Sequence, residues 1–159
     1  MRRKGFLLLT GLLAAVTLSA CGADPELQQF KKDMDSFCDS VAELHESINN
    51  IDAEAANASA LALDYLDNLD IQFQKFAELD FPEEYDYLEE LADEAGEYMS
   101  EAVQSYHEAF ADGGYDESTG DYARENSARA LKRLQVILDI LHGKNPVEDT
   151  PQDEPPTES

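Results

Sequence analysis

Apolar residues recur every three or four positions over most of the chain, which is the spacing of one face of an α-helix. The most regular run contains no Gly or Pro, and charged and amide residues fill the positions between its apolar members. Asp24 followed by Pro25 suits a helix cap and a first-turn proline. The pattern therefore predicts a first helix over residues 25–51. Its apolar seam consists of Leu27, Phe30, Met34, Phe37, Val41, Leu44, Ile48 and Ile51.

A second and a third amphipathic stretch follow. The second is predicted to be helical over about residues 54–79, with small residues early on its apolar face and large ones late. The third helix is predicted to begin near residue 81. Pro82 is tolerated in a first turn, and Asp80 with Glu83 has the spacing of a capping box.

The end of the third helix and the extent of the fourth are also marked in the sequence. Asp112-Gly113-Gly114 ends the third periodic stretch. A fourth helix is predicted over about residues 119–142, followed by Gly143, a residue type that often ends helices. Residues 144–159 are acidic and rich in proline, and they contain too few apolar groups to form a core. They are predicted to be a disordered tail.

Four amphipathic helices with short connections predict an all-α fold, an antiparallel up-down four-helix bundle over residues 25–143. Both ends of the bundle are expected on one side of the molecule, with the turn at residues 80–84 on the opposite side. Two alternatives stay open. One is a three-helix core against which the alanine-rich start of the second helix packs loosely; the other is self-association through the seam of the first helix. The oligomeric state stays unknown at this level.

The segment before the bundle indicates export. Basic residues at positions 2–4 precede about a dozen mostly apolar residues, a length typical of a signal peptide and short of the roughly 20 that a spanning helix needs. Leu18-Ser19-Ala20-Cys21 then resembles the lipobox of bacterial lipoproteins. That resemblance implies that the Cys21 thiol receives diacylglycerol. It also implies that residues 1–20 are removed as a signal peptide and that 21–24 form a lipidated linker.

Taken whole, the chain resembles the small all-helical lipoproteins of Gram-positive bacteria. The resemblance covers the lipobox and, more loosely, the turn at residues 76–84 that leads into a Tyr- and acid-rich segment. It implies attachment to the extracytoplasmic face of the cell membrane through acyl chains such as palmitate. Each buried methylene stabilises such attachment by about 0.8 kcal/mol, so two or three chains hold a protein permanently. No residue role beyond acylation of Cys21 is implied.

The net charge of the chain limits the kinds of partner that it is expected to bind. The sequence has 11 basic and 35 acidic residues, a formal net charge of −24. Without residues 1–20 it keeps 8 basic residues and all the acidic ones, a formal charge of −27. Such a chain is expected to bind no nucleic acid, which requires cationic side chains, and to favour cationic partners. With Cys21 acylated, Cys38 is the remaining cysteine, which excludes an internal disulfide.

The strongest local concentration of charge lies on the predicted third helix. Four carboxylates there are spaced four residues apart and therefore line one helix face. They are Glu89, Asp93, Glu97 and Glu101, here called the acidic stripe. Two interpretations stay open for the stripe. Either basic residues of the fourth helix neutralise it, or it gathers a divalent cation or a cationic protein or peptide. Those basic residues are Arg124, Arg129, Lys132 and Arg133.

The sequence predicts no catalytic residue, no cofactor and no metal-ligating residue. It contains no EF-hand spacing, Gly-rich phosphate loop or zinc-ligand cluster. His45, His107 and His142 fall on three different helices, and no paired Glu-x-x-His elements of a di-iron bundle are present. We therefore expect a membrane-anchored, non-enzymatic interaction or scaffold module.

A different class of function stays open beside this one. A carrier or sensor could hold a small ligand or cation in or on the helical bundle. The small side chains of Ala55, Ala58 and Ala62 are where an internal pocket would be expected.

Overall fold

A computed structural model describes residues 25–111 and 114–144. The predicted signal peptide, the lipobox with its linker, and residues 145–159 of the predicted tail lie outside those ranges. Within them the chain is all-helical and has no strand. The helices are α1 (Pro25–Asn49), α2 (Ala58–Ala77), α3 (Glu89–Ala109) and α4 (Glu117–Leu141), with a one-turn 3-10 helix at Asp86–Leu88.

The first two helices run antiparallel, as the contacts of their aromatic rings show. Phe37 in the middle of α1 stacks on Phe76, with ring centroids 4.5 Å apart, and meets Phe73 edge-on at 5.4 Å. Phe30, about two turns closer to the start of α1, contacts Phe81 beyond the end of α2 at 4.9 Å. The earlier residue of α1 therefore contacts the later residue of the α2 region, which is the pattern of two antiparallel helices.

The interface between α2 and α3 depends on a close approach at Gly96. The side-chain amide of Gln74 donates to the Gly96 carbonyl oxygen at 3.1 Å and to the Ser100 hydroxyl at 3.0 Å. Ser100 in turn donates to the Asp70 carboxylate at 2.6 Å. A Cβ added at Gly96 would lie 3.2 Å from the Cβ of Ala77. The absence of a side chain at this position therefore sets the distance between the two helices.

The backbones of α3 and α4 approach each other over a longer stretch than those of the other helix pairs. Both helices bury small residues, which permit this approach. Two polar contacts fix the antiparallel register: Arg133 pairs with Glu94, and the Tyr122 hydroxyl donates to Glu101. The buried small residues are Ala92, Ala95, Gly96, Ala102, Ser105 and Ala109 in α3, and Gly120, Ala123 and Ala130 in α4.

The first helix is held differently from the others. Its backbone packs against α2 and makes no comparable approach to α4. The seam of α1 is buried from Phe30 to Val41, while Leu44 and Ile48 further along are half-buried. The buried residues of α2 are Phe73 and Phe76, both in its second half. The core is thus densest toward the end at which α1 begins, and the early part of α2 is covered less completely.

Two predicted helix boundaries are wrong. The second helix begins at Ala58 rather than near 54, and the third begins at Glu89 rather than near 81. Between α2 and α3 the amide of Tyr85 donates to the Pro82 carbonyl in a turn, and the 3-10 helix follows. Phe81 is buried against α1, so this segment is an irregular connection that contributes to the core. The capping box expected in it does not start the helix.

The predicted position of the 80–84 turn is also wrong. Two antiparallel helices return the chain to the end at which it started, and the ring contact between Phe81 and Phe30 places the turn beside the beginning of α1. This end of the bundle, which also carries the end of α4 near Leu141, is called the α1-start end. The opposite end carries the α1–α2 and α3–α4 connections.

Candidate interaction surfaces

The acidic stripe lies on the solvent-facing side of α3, as its spacing predicts. All four carboxylate residues, Glu89, Asp93, Glu97 and Glu101, are exposed. Glu101 accepts a hydrogen bond from the Tyr122 hydroxyl of α4. Among the residues that the structure describes, no ion pair joins the stripe to a basic side chain.

The three arginines of α4 do not neutralise the stripe. Arg124 and Arg129 form ion pairs within α4, with carboxylates three and four residues before them. Arg133 does reach α3, where it pairs with Glu94, a carboxylate outside the stripe. The guanidinium groups of Arg129 and Arg133 also lie 5.6 and 5.9 Å from the centroid of the Tyr98 ring. These arginines therefore tie α4 to itself and to α3 without covering the stripe.

A groove crosses the α1-start end of the bundle and is here called the basal groove. Its floor is apolar and consists of Phe30, Leu79 and Phe81, and its volume is about 550 Å³. The two phenylalanines are almost fully buried and hold each other by ring contact, while Leu79 is half-buried. The floor is therefore an extension of the hydrophobic core to the surface.

The rim of the basal groove is acidic. It combines carboxylates from three separate segments: Glu26 and Asp33 of α1, Glu78 and Asp80 after α2, and Glu89 at the start of α3. Because Glu89 is also the first member of the stripe, the groove and the stripe form one continuous acidic surface. A narrower extension of about 170 Å³ runs between α1 and α2, shares Asp33 and Leu79 with the groove, and is lined by Lys75 further along.

Sequence reasoning identified the stripe but missed the groove. The stripe lies on one helix, so a spacing of four residues is enough to find it. The groove combines segments about 50 residues apart, and the sequence placed the 80–84 turn at the wrong end. In the sequence, the groove is marked locally by the apolar Phe81 between Asp80 and Pro82. Periodicity alone assigns this phenylalanine to a helix.

The thiol of Cys38 is expected to be poorly reactive at neutral pH. Cys38 is half-buried at the edge of the core. Burial, with a smaller contribution from the neighbouring Asp35 and Asp39 carboxylates, raises the pKa of this thiol from 9.0 to about 11. At neutral pH it stays protonated, and a protonated thiol is a poor nucleophile and a poor metal ligand.

The three histidines lie apart from one another. His107 Nε2 is 2.6 Å from Asp67 Oδ1 in a half-exposed pair that links α3 to α2. His45 lies in the second half of α1 and His142 just after α4. Within residues 25–111 and 114–144, no group of three or more His, Cys, Asp or Glu side chains is arranged to hold a metal ion.

The alanines proposed to line an internal pocket lie away from both the groove and its extension. Ala55 is half-buried in the α1–α2 connection, and Ala58 and Ala62 are half-buried on the first turns of α2. None of them lines either cavity. The basal groove and its extension lie instead at the α1-start end and along the adjoining part of α1 and α2.

A comparison with protein-family models finds no family that matches the chain, and searches of curated proteins and of solved structures likewise find no match. Across the described residues, no helix has both the length and the apolar character needed to cross a membrane.

Proposed function

We propose that this protein is a lipid-anchored, extracytoplasmic module without catalytic activity that binds cationic partners through its acidic surface. The observation that supports the proposal is the state of the acidic stripe. Its four carboxylate residues are exposed, and Arg124, Arg129 and Arg133 of the neighbouring helix pair with other groups. The stripe is therefore available to a partner.

Electrostatics gives such a surface a defined role in recognition. Like charges four residues apart on a helix repel each other by a few tenths of a kcal/mol per pair, and a cationic partner removes that repulsion when it binds. A strongly acidic surface also draws oppositely charged molecules toward it and raises their rate of association. The attraction is screened beyond a Debye length of about 10 Å at 0.1 M salt.

Lipid anchorage is the other half of the proposal and is tested at Cys21. Replacing Cys21→Ser removes the thiol that would carry the lipid. The variant is expected in the culture medium, or in the soluble fraction after cell disruption, while the native protein is expected in the membrane fraction. A Cys21→Ser variant that stays in washed membranes at the native level would contradict the anchor.

The stripe is tested by neutralising it and asking which proteins are still recovered. In the test variant Glu89, Asp93, Glu97 and Glu101 are all replaced by Gln, and the acylated protein is cross-linked and purified from membranes at low salt. A matched control removes four exposed carboxylates from the outer side of α1 through the substitutions Asp35→Asn, Asp39→Asn, Glu43→Gln and Glu46→Gln.

Basic proteins or peptides are expected with the native chain and with the α1 control, and at least tenfold less with the stripe variant. Recovery should also fall for the native chain when NaCl is raised, because the attraction is electrostatic. Equal recovery with all three proteins would show that the stripe is merely solvated surface.

A further inference from the structure

We propose that the basal groove is the docking site for a cationic, amphipathic peptide segment of a partner. An apolar side chain of the segment packs on the half-buried Leu79 and on the small exposed edges of Phe30 and Phe81, and its basic side chains lie among the rim carboxylates. This inference rests on the proposed function and names the place on the acidic surface at which the partner is held.

The groove differs from the rest of the acidic surface because it offers two kinds of contact within one cavity. Glu78 and Asp80 are exposed on either side of the half-buried Leu79. Lys and Arg side chains suit such a place, since their methylene stems pack on apolar surface while their charged ends stay among carboxylates. The groove is open to solvent rather than enclosed, and its volume of about 550 Å³ leaves room for a large side chain of a peptide.

Charge argues against the other occupants that this chain could supply. Residues 145–159 contain five acidic residues and no Lys or Arg, so the chain's own tail is repelled by the rim. A second copy carries the same formal net charge of −24. An anionic lipid surface is repelled for the same reason. Among these occupants, the rim carboxylates attract only a cationic segment.

The position of the groove indicates how far from the membrane the protein binds the peptide segment. Pro25 begins α1 at this end of the bundle, and only three residues lie between it and Cys21. The four residue-to-residue steps from Cys21 to Pro25 span at most about 14 Å. With a lipid on Cys21, the groove lies close to the membrane–water interface. A cationic amphipathic segment that adsorbs at this interface is therefore brought to the height of the groove.

The direction of the segment follows from Lys75. This residue lines the narrow extension between α1 and α2, whereas the rim carboxylates surround the wider part of the groove. The basic portion of the segment therefore lies over Glu78 and Asp80, and a neutral or acidic residue lies toward Lys75.

The test uses a synthetic 14-residue amphipathic peptide of Lys and Leu with a single Trp on its apolar face. The protein contains no tryptophan, so peptide fluorescence reports on the peptide alone. Full-length protein is held in nanodiscs of zwitterionic phosphatidylcholine, and empty nanodiscs provide the blank. Binding is expected to shift the Trp emission to the blue as the ring leaves water. A peptide of equal charge with Ser in place of Leu and Trp, carrying a dye at one end, tests the need for apolar contact by fluorescence anisotropy.

Two variants with equal changes of charge locate the site. The groove variant carries Asp33→Asn, Glu78→Gln and Asp80→Asn. The matched control carries Asp35→Asn, Asp39→Asn and Glu43→Gln on the exposed outer side of α1. Circular dichroism melting of each variant checks that the fold is retained. All six positions lie at the surface or at the groove rim, so little change in melting is expected.

The groove variant is expected to bind the peptide at least tenfold more weakly than the native protein, and the α1 control to stay within about twofold. The Ser peptide should bind the native protein at least tenfold more weakly than the Leu peptide. Equal losses in the two variants, or equal binding of the two peptides, would overturn the groove and leave the acidic-surface function standing. No salt-sensitive binding by the native protein would overturn both. A dimer of the native protein that the groove variant dissociates would show a second copy in the groove instead.

Discussion

In the middle of α4, Asn126 is fully buried and only partly satisfied. Its Oδ1 accepts a long hydrogen bond from Arg129, at 3.4 Å, and its Nδ2 has no partner. A buried donor without a partner costs about 1–3 kcal/mol, because it has lost its hydrogen bonds to water. At the scale of a single residue, this asparagine is a local weakness in the tightly packed α3–α4 pair.

Replacing Asn126→Leu should therefore raise the free energy of unfolding. Leu has the same number and branching of side-chain heavy atoms as Asn, so it removes the unpaired donor with little change of shape. An increase of about 1 kcal/mol is expected from urea denaturation followed by circular dichroism. The control is Asn68→Leu, since Asn68 is exposed and donates to a backbone carbonyl at 2.7 Å. A gain in the control as large as that at Asn126 would contradict this explanation.

The raised pKa of Cys38 predicts its reactivity with iodoacetamide. With a folded-state pKa of about 11 against 9.0 for an ordinary thiol, the thiolate fraction at pH 8 is lower by about a hundredfold, since each pKa unit is a factor of ten. Alkylation of the folded protein should thus be slow and keep accelerating up to about pH 11, as read by mass spectrometry. A plateau near pH 9 would contradict the burial effect, and Cys38→Ser gives the background.

The same shift has a consequence for stability at high pH. Between pH 9.0 and about 11 the thiol ionises in the unfolded chain but stays protonated in the folded one. The contribution of Cys38 to stability is therefore complete below pH 9 and is lost as the pH rises through about 11.

At the scale of the helices, Gly96 decides how closely α2 and α3 pack. Gly96→Val would place a branched side chain against Ala77 and Gln74, which already lie within 3.4 Å of a single added Cβ. A loss of about 1–3 kcal/mol in the free energy of unfolding is expected, as is typical for overpacking a well-filled interface. Thermal melting measures it. Gly114→Ala is the control, because no atom lies within 4 Å of a Cβ at that position.

Helix number and buried faces follow from the sequence, whereas helix ends follow only in part. Periodicity located the α1 seam correctly because each apolar residue from Phe30 to Val41 lies on one face. It failed near Phe81, where the chain leaves the helix to bury an aromatic ring against Phe30. This contact between residues 51 positions apart outweighs the local preference for helix near Phe81. The spacing of neighbouring apolar residues does not predict such a contact.

The candidate sites divide in the same way. Acids repeating on one helix are visible in the sequence, and the exposure of Asp93 and Glu97 agrees with that pattern. The basal groove depends on three segments meeting at one end of the bundle. Its existence requires the antiparallel order of α1 and α2, which the short connections predict, and also the irregular path around Phe81, which neighbouring residues do not encode.

For the whole molecule, the formal charge of −24 predicts that salt stabilises the fold. Exposed carboxylates repel one another, and raising NaCl from 10 to 100 mM shortens the Debye length from about 30 to about 10 Å. The melting temperature should therefore rise over this range. A fall would show that surface ion pairs, such as that between Arg133 and Glu94, outweigh the repulsion.

MgCl2 at matched ionic strength separates screening from binding. A shift in melting temperature that exceeds the NaCl shift, saturates at millimolar Mg²⁺ and disappears when the four stripe residues are changed to Gln would identify a divalent cation site. A shift that follows ionic strength alone would leave the stripe to cationic peptides and proteins.

The shared location of the basal groove and the start of α1 also determines how the molecule responds to mechanical load. Pro25 and Leu141 lie at the same end of the bundle. A pull between them separates the helices one turn at a time, starting from that end. With the proposed lipid on Cys21 and the proposed peptide in the groove, a pull between the two would follow a much shorter path, through the first turns of α1 and the connection around Phe81. Tension on such a complex is therefore borne at the anchored end, and the far loops and most of α3 and α4 stay unloaded.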